Sequence, residues 1–280
     1  MVWNASLQLD YSLREESGNR KTVAHFNHSG PLRILQSLYP EGDAICHNVL
    51  VHPPGGLVGG DTLNLTIDVA PRAHGLLTTP GATRFYRSEG KPALQRTLIT
   101  LDPGARMEWL PLEAICYSGC IAENRLELNL SPGAELFGWD ITALGLPAAN
   151  KPFAAGHFCQ HITVPGVWLE RALIRATDKL LMHSPLGMGG HACIATLYFV
   201  AGSKLDRRRR QQALDIARAV ADAHSLRATA GTTSPDAQVV VLRVLAPVVE
   251  PAMALLKQVW LAWRHELWQQ ASSTPRIWST

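Results

Sequence analysis

Apolar residues recur at every second position over long stretches of this chain. Leu7, Leu9, Tyr11 and Leu13 alternate with polar neighbours, as do Leu63, Leu65, Ile67 and Val69, and later Leu126, Leu128 and Leu130. A period of two puts successive side chains on opposite faces of an extended backbone, so each stretch is a strand with one buried face. Ala105 to Leu110, Leu169 to Arg175 and Ile194 to Val200 are further strand candidates. Proline–glycine turn signals punctuate them at Asp102-Pro103-Gly104, Ser131-Pro132-Gly133 and Pro165-Gly166. The expected fold is mainly β.

A repeat lies inside this region. VAPRAHGLLTT begins near Val69, LDPGARMEWL near Leu101 and LSPGAELFGW near Leu130, a spacing of roughly 30 residues that is usual for stacked β units. Each unit has a strand, a proline turn, an alanine and another strand. We read the units as hairpins stacked side by side, giving stacked or helical β-strand layers; three unrelated turns sharing common turn residues are the alternative. The last third changes character. Asp206 to Leu226 carries Leu214, Ala217, Ala221 and His224 at helical spacing, Val239 to Leu245 is a short β-branched run, and Met253, Leu256, Trp260, Trp263 and Leu267 form an apolar helical stripe. The expectation is a single domain over residues 1–280. Its β body covers about 1–202, and an α–β–α C-terminal segment with two helices covers about 203–280.

A net charge of +3 is too small to demand nucleic acid or an anionic membrane. No apolar run has the length of a membrane span, and MVWNASLQLDYS lacks the layout of a signal peptide. Five cysteines without framework spacing fit reduced thiols, so a cytoplasmic location is expected. Two nucleotide-binding patterns fail on inspection. GGLVGGDT (Gly55 to Thr62) has Asp61 where a phosphate-binding loop needs lysine. GMGGHA (Gly187 to Ala192) precedes the strand-like IATLYFV, where a dinucleotide fingerprint needs a helix. The run Arg207 to Arg210 reads as the solvated start of a helix.

Sulfur and imidazole groups lie near each other at Cys46-His47, Cys159/His161, His191/Cys193 and Cys116/Cys120. Such donors suit nickel, copper or zinc, yet no pair has the doubled spacing of a structural zinc site. A buried thiol beside an unrelated histidine is the preferred reading of each pair taken alone. No Ser-His-Asp or paired-carboxylate pattern stands out for a hydrolase.

The wording of the motifs goes further. YPEGDAICHNVLVHPPGGLVGGD, TTPGATRFYRS, EWLPLEAICYSG, WDITALG and the closing PRIWST together resemble the urease accessory protein UreD family, also called UreH, over nearly the whole chain. The resemblance implies a non-enzymatic maturation factor, mainly β, with two helices near the C-terminus. It implies binding to apo-urease and to UreF, and through UreF to the nickel-carrying GTPase UreG. It also implies a passage for nickel toward the urease active site, with no tightly bound cofactor and nickel present only in transit. A standalone nickel-binding or storage protein built on the Cys/His pairs is the alternative. Nickel binds N, O and S donors more tightly than most divalent first-row ions, so a guided route protects it from stray ligands. Isolated carboxylates and water release an ion that a closed Cys/His cage would keep.

Carried over position by position, Asp61 and Glu170 match acidic family positions tied to the nickel route, and Asp140 in WDITALG is a third. His47 and His52 also match the family wording. A turn cap is the structural alternative for Asp61, an ion pair with Arg171 or Arg175 for Glu170, and a hydrogen-bonding role for either histidine. The segment Arg84-Phe85-Tyr86-Arg87 matches as partner surface, with a packed strand end as the structural alternative. Cys116 and Cys120 depart from the family pattern, so no role is transferred to them.

Overall fold

Each proline turn of the repeat joins two strands that lie in different sheets. The computed structural model describes residues 2–16, 19–271 and 273–279. An antiparallel ribbon of β1 (Asn4–Glu16) and β2 (Asn19–Ser29) begins the chain, followed by β3 (Arg33–Leu38) and β4 (Cys46–Val51). Three coils come next. The first contains β5 (Thr62–Val69), β6 (His74–Thr78) and β7 (Thr83–Phe85). The second contains β8 (Ala93–Leu101), β9 (Arg106–Leu110) and β10 (Ala114–Cys116). The third contains β11 (Ile121–Leu130) and the long β12 (Glu135–Leu146), which pairs with both β9 and β10. The body is completed by β13 (Lys151–Pro152), β14 (His157–Val164), β15 (Trp168–Arg175), the short helix α1 (Lys179–His183) and β16 (Cys193–Ala201). The C-terminal part adds α2 (Arg207–Asp222), β17 (Ala230–Asp236), β18 (Val239–Ala246) and α3 (Val249–Trp268).

Sheet I has the order β15-β14-β11-β8-β5-β1-β2, and sheet II runs β17-β18-β16-β12-β9-β6-β4-β3. Equivalent strands of successive coils pair in parallel: β5 with β8, β8 with β11, and β6 with β9, β9 with β12. The repeat is therefore real, but its units are arches rather than the expected hairpins. A hairpin needs hydrogen bonds between the two strands flanking its turn. Here those bonds go to the neighbouring coil, and the flanking strands meet through side chains.

The turns explain why the repeat reads as it does. In each, an alanine N–H donates to the carbonyl three residues back: Ala73 to Ala70 (3.1 Å), Ala105 to Asp102 (3.0 Å) and Ala134 to Ser131 (3.0 Å). Proline pre-sets the second position and the third is left-handed, with φ of 64° at Arg72, 71° at Gly104 and 79° at Gly133. These are type II turns, in which the third residue needs positive φ. They stack by backbone bonds from Arg106 to Ala73 (2.9 Å) and from Glu135 to Ala105 (3.0 Å).

Two cores result. Inward residues of both sheets, including Leu9, Ile67, Ile99, Leu128 and Leu136, form the first. The second lies between sheet II and the helices, where Phe137, Phe199, Trp260 and Trp263 meet. Asp206 caps α2 by accepting from the Arg209 N–H at 2.9 Å. All five stripe residues of α3 are buried. Strand β16 is apolar on both faces because it sits between the two cores, which is why its sequence shows a continuous run rather than alternation. The C-terminal strands extend sheet II directly, so the helical segment is continuous with the β body.

Candidate ion passage between the sheets

The inner face of sheet I is largely apolar, with its amide side chains gathered along one line. Register places Gln95 of β8 opposite Asn124 of β11, and Asn124 opposite Gln160 of β14. Facing them on sheet II, Asp140 of β12 is in register with Thr196 of β16, which in turn is in register with Arg243 of β18. The two rows touch. Gln95 Nε2 donates to Asn124 Oδ1 at 3.4 Å, and Asn124 Nδ2 donates to Asp140 Oδ2 at 3.1 Å. Thr142 Oγ1 donates to Asp140 Oδ1 at 3.2 Å. At the far end Arg243 grips Glu170 of β15, with Nε to Oε1 at 2.9 Å and Nη2 bonded to Oε2.

This polar file widens toward the N-terminal coils. A cavity of about 220 Å³ is lined by His52, Thr79, Thr83, Arg84 and Gln95. Next to it a void of about 20 Å³ lies among Thr83, Gln95, Thr97, Asn124 and Asp140. That is room for one water molecule. Asp140 lines this void and is half-buried. Thr97 Oγ1 is buried there without a hydrogen-bond partner.

Burial pushes the Asp140 carboxyl up to about 6, against bonds from Thr142, Gln160 and Asn124 that pull it down; the Glu170 charge adds to the rise. The Gln160 amide lowers this pKa, although its Nε2 and Oε1 make no hydrogen bond of ordinary length and angle. We take it as a dipole near the carboxylate and not as a bonded partner. At neutral pH Asp140 is predominantly ionised.

The sequence-derived residues distribute along and beside this file. Asp61 is 2% exposed, and both of its oxygens are occupied: Oδ1 accepts from Trp3 N at 2.7 Å and Oδ2 from Val58 N at 2.9 Å. It caps the HPPGGLVGGD loop. That loop lies on the second motif, with Leu57 N donating to Arg84 O at 2.7 Å and Tyr86 N to Leu57 O at 2.9 Å. Gly56 has no room for a side chain, because a Cβ would strike the Tyr86 ring. Of the RFYR segment, Phe85 is core while Arg84 and Arg87 are exposed. His52 lines the cavity, its Nε2 buried and unpartnered; burial lowers its pKa while the Asp61 charge opposes the shift. Glu170 is paired with Arg243, not with Arg171 or Arg175, which face outward.

His47 is not part of the file. Strand alternation sends Cys46 into the inner core and His47 to the helix side. There His47 Nε2 meets Glu41 Oε1 at 2.9 Å, and Arg264 of α3 donates to both Glu41 oxygens at 2.9 and 3.0 Å. The same guanidinium lies 3.1 Å from Glu108, which also accepts from Trp260 Nε1 at 2.7 Å and contacts His74 at 2.9 Å. The 3.1 Å contact is an ion pair without hydrogen-bond alignment, since Arg264 Nε has no aligned acceptor. Sequence reading missed this buried cluster, and also Gln95, Asn124, Gln160 and Arg243. The amides did carry a signal: each occupies the inward phase of an alternating strand, two residues before Thr97, Leu126 or Ile162.

The rejected motifs are turns, as expected. Gly187 to Gly190 follows α1 and leads into β16, the reverse of a dinucleotide-binding order. In the tetra-arginine run, Arg209 is bonded to both Glu135 oxygens, which also hold Trp268 Nε1 at 2.6 Å. Cys120 Sγ donates to His157 O at 3.8 Å; burial pushes the Cys116 thiol well up, and the neighbouring Cys116 pulls the Cys120 thiol down. Among the described residues no group of three or more His, Cys, Asp or Glu side chains is placed to hold a metal ion. No described helix is long and apolar enough to cross a membrane.

Comparison with known proteins gives a consistent answer. The family model described as UreD urease accessory protein matches residues 4–279. A protein of Polaromonas sp. (strain JS666 / ATCC BAA-500) named Urease accessory protein UreD is 76% identical over 279 residues, covering 100% of both chains. Proteins of the same name from Polaromonas naphthalenivorans (strain CJ2) and Variovorax paradoxus (strain S110) are 72% and 67% identical, again over 100% of both chains.

Proposed function

The chain belongs to the UreD urease accessory protein family, and on that premise we propose that it serves urease maturation as a non-enzymatic scaffold whose interior passes nickel. In this reading it joins apo-urease to UreF, and through UreF to UreG, in the cytoplasm. Nickel is cargo, bound only in transit.

The observation that carries the reading is the polar file between the sheets. A divalent ion entering an apolar core without compensation faces a prohibitive desolvation cost. Along the file it meets imidazole, hydroxyl and amide oxygen, then the Asp140 carboxylate, then Glu170. Each site offers one or two hard or borderline donors, so none is a trap. The narrowest part has room for a single water molecule. A hydrated ion therefore sheds most of its shell, and Thr83, Gln95 and Asn124 rotate as it passes. Arg243 stands at the Glu170 end, where its charge keeps that carboxylate from acting as a sink. The storage alternative loses one of its pairs, since Cys46 and His47 point to opposite faces of β4.

The test uses Asp140→Asn combined with Asn124→Leu. Urease is purified from cells expressing the urease genes at limiting nickel, and its nickel content is measured beside co-purification of this chain with UreF. Retained co-purification with urease nickel reduced tenfold or more supports the passage. Full nickel loading by this variant overturns the passage and leaves the scaffold; loss of UreF capture by the unaltered chain overturns the scaffold.

A further inference from the structure

Away from the passage, the outer face of sheet I carries a row of cations. Inter-strand register aligns Arg96 of β8, Arg125 of β11, His161 of β14 and Arg171 of β15. The three arginines are exposed and His161 is half-buried. Arg125 is held by Glu123. Arg96, His161 and Arg171 have no hydrogen-bond or ion-pair partner among the described residues. Beside the row lies a shallow groove of about 340 Å³ lined by Asn64, Arg96, Leu98, Arg125, His161 and, at one side, the single carboxylate of Glu127. Solvated arginines are ordinary, but a file of them on four adjacent strands is self-repelling. Like charges directly opposite one another cost stability. Nothing in the core requires these residues, since their strands are anchored by inward Ala93, Ile99, Leu126 and Ile162.

From this row we infer that the outer face of sheet I docks an acidic helix of a partner protein. The spacing selects a helix. Neighbouring strands lie about 4.8 Å apart, so four positions span roughly 14 Å. A helix laid along the row advances about 5.4 Å per turn, so carboxylates at i, i+4, i+7 and i+11 follow the cations within about 2 Å over the whole row. An extended segment presents same-face residues about 6.6 Å apart and overruns the row by about 5 Å over the same three steps. The guanidinium fork binds carboxylates bidentately, and the aliphatic part of the groove at Leu98 packs against the helix between them. The surface is distinct from the passage, whose walls are the inner faces of the same strands.

The experiment uses the full chain and a synthetic helical peptide with glutamate at i, i+4, i+7 and i+11. A peptide of identical composition with scrambled order and a short DNA duplex serve as comparisons, and binding is followed by fluorescence anisotropy. The expected result is at least tenfold tighter binding of the ordered peptide, weakening as salt rises. Arg96→Glu/Arg171→Glu should abolish it and should bind the lysine version of the peptide instead. Equal binding of scrambled peptide or duplex overturns the proposal, because only non-specific attraction is then at work. Failure of the lysine peptide to bind the reversed variant, with its thermal unfolding unchanged, also overturns it. In cells expressing the urease genes, a photo-crosslinker at Asn64 should map to one acidic helix of one partner. Crosslinks scattered over many sites refute the assignment while leaving the passage untouched.

Discussion

Arg243 of β18 holds both carboxylate oxygens of Glu170 of β15, and so fastens sheet II to the edge strand of sheet I at the end of the polar file. The partners are 73 residues apart and belong to different sheets. Among the described residues neither makes a second ion pair.

A double-mutant cycle on this pair is the first prediction. Arg243→Gln leaves a half-buried carboxylate alone and should cost about 2 kcal/mol. Adding Glu170→Gln should recover part of that loss, with a coupling of about 1–2 kcal/mol. Urea unfolding of the four proteins measures it; strict additivity would mean the bridge fastens nothing.

Asp140 gives a pH signature. Its carboxyl rises from the ordinary 3.8 to about 6 in the folded chain. Between these values the folded state holds a proton that the unfolded state has lost, so stability falls as pH rises from about 4 to 6 and is level above. The full effect is about 3 kcal/mol. Asp140→Asn removes it, so in chelator-treated buffer the variant should be the more stable protein at pH 7 and should lose that slope.

Arg264 has 0% exposure and bridges Glu41 and Glu108. Replacing it with methionine leaves two carboxylates buried without their cation and should cost about 3–5 kcal/mol. Arg264→Lys should restore less than half, because one ammonium cannot reach both partners and the Ala271 carbonyl that Arg264 Nη1 meets at 2.9 Å. Thermal unfolding of both variants is the measurement, and a lysine variant as stable as the parent would contradict the bridging role.

The turns predict a cost set by backbone alone. At Gly104 a Cβ would meet Arg72 Cγ at an ordinary 3.5 Å, yet φ is +71°. Gly104→Ala should therefore lose about 1–2 kcal/mol. Gly81→Ala, where there is open space and no positive φ, should be nearly neutral. Equal unfolding midpoints for the two variants would disprove the turn assignment.

The strands were legible because alternation is a local property: Leu63 to Val69 and Leu126 to Leu130 face the core as their spacing demands. The three turns were legible too, since proline followed by a left-handed position leaves few conformations. The direction of the hydrogen bonds leaving each strand was not. A type II turn serves a hairpin or an arch equally well, and only the neighbouring coil decides. In the passage, Asp61 and Asp140 stood out as acidic residues within recognisable wording, but nothing local told that the oxygens of Asp61 are taken by Trp3 and Val58. Arg264 and Glu41 lie 223 residues apart, so their meeting follows from the whole fold.

Because the coils are stacked copies of one turn with one rise, the gap between the His52 cavity and Glu170 is quantised. Each added loop of chain would lengthen it by about 4.8 Å and leave both ends unaltered. The solenoid thus works as a ruler, and what it measures out is the separation of the His52 cavity from Glu170.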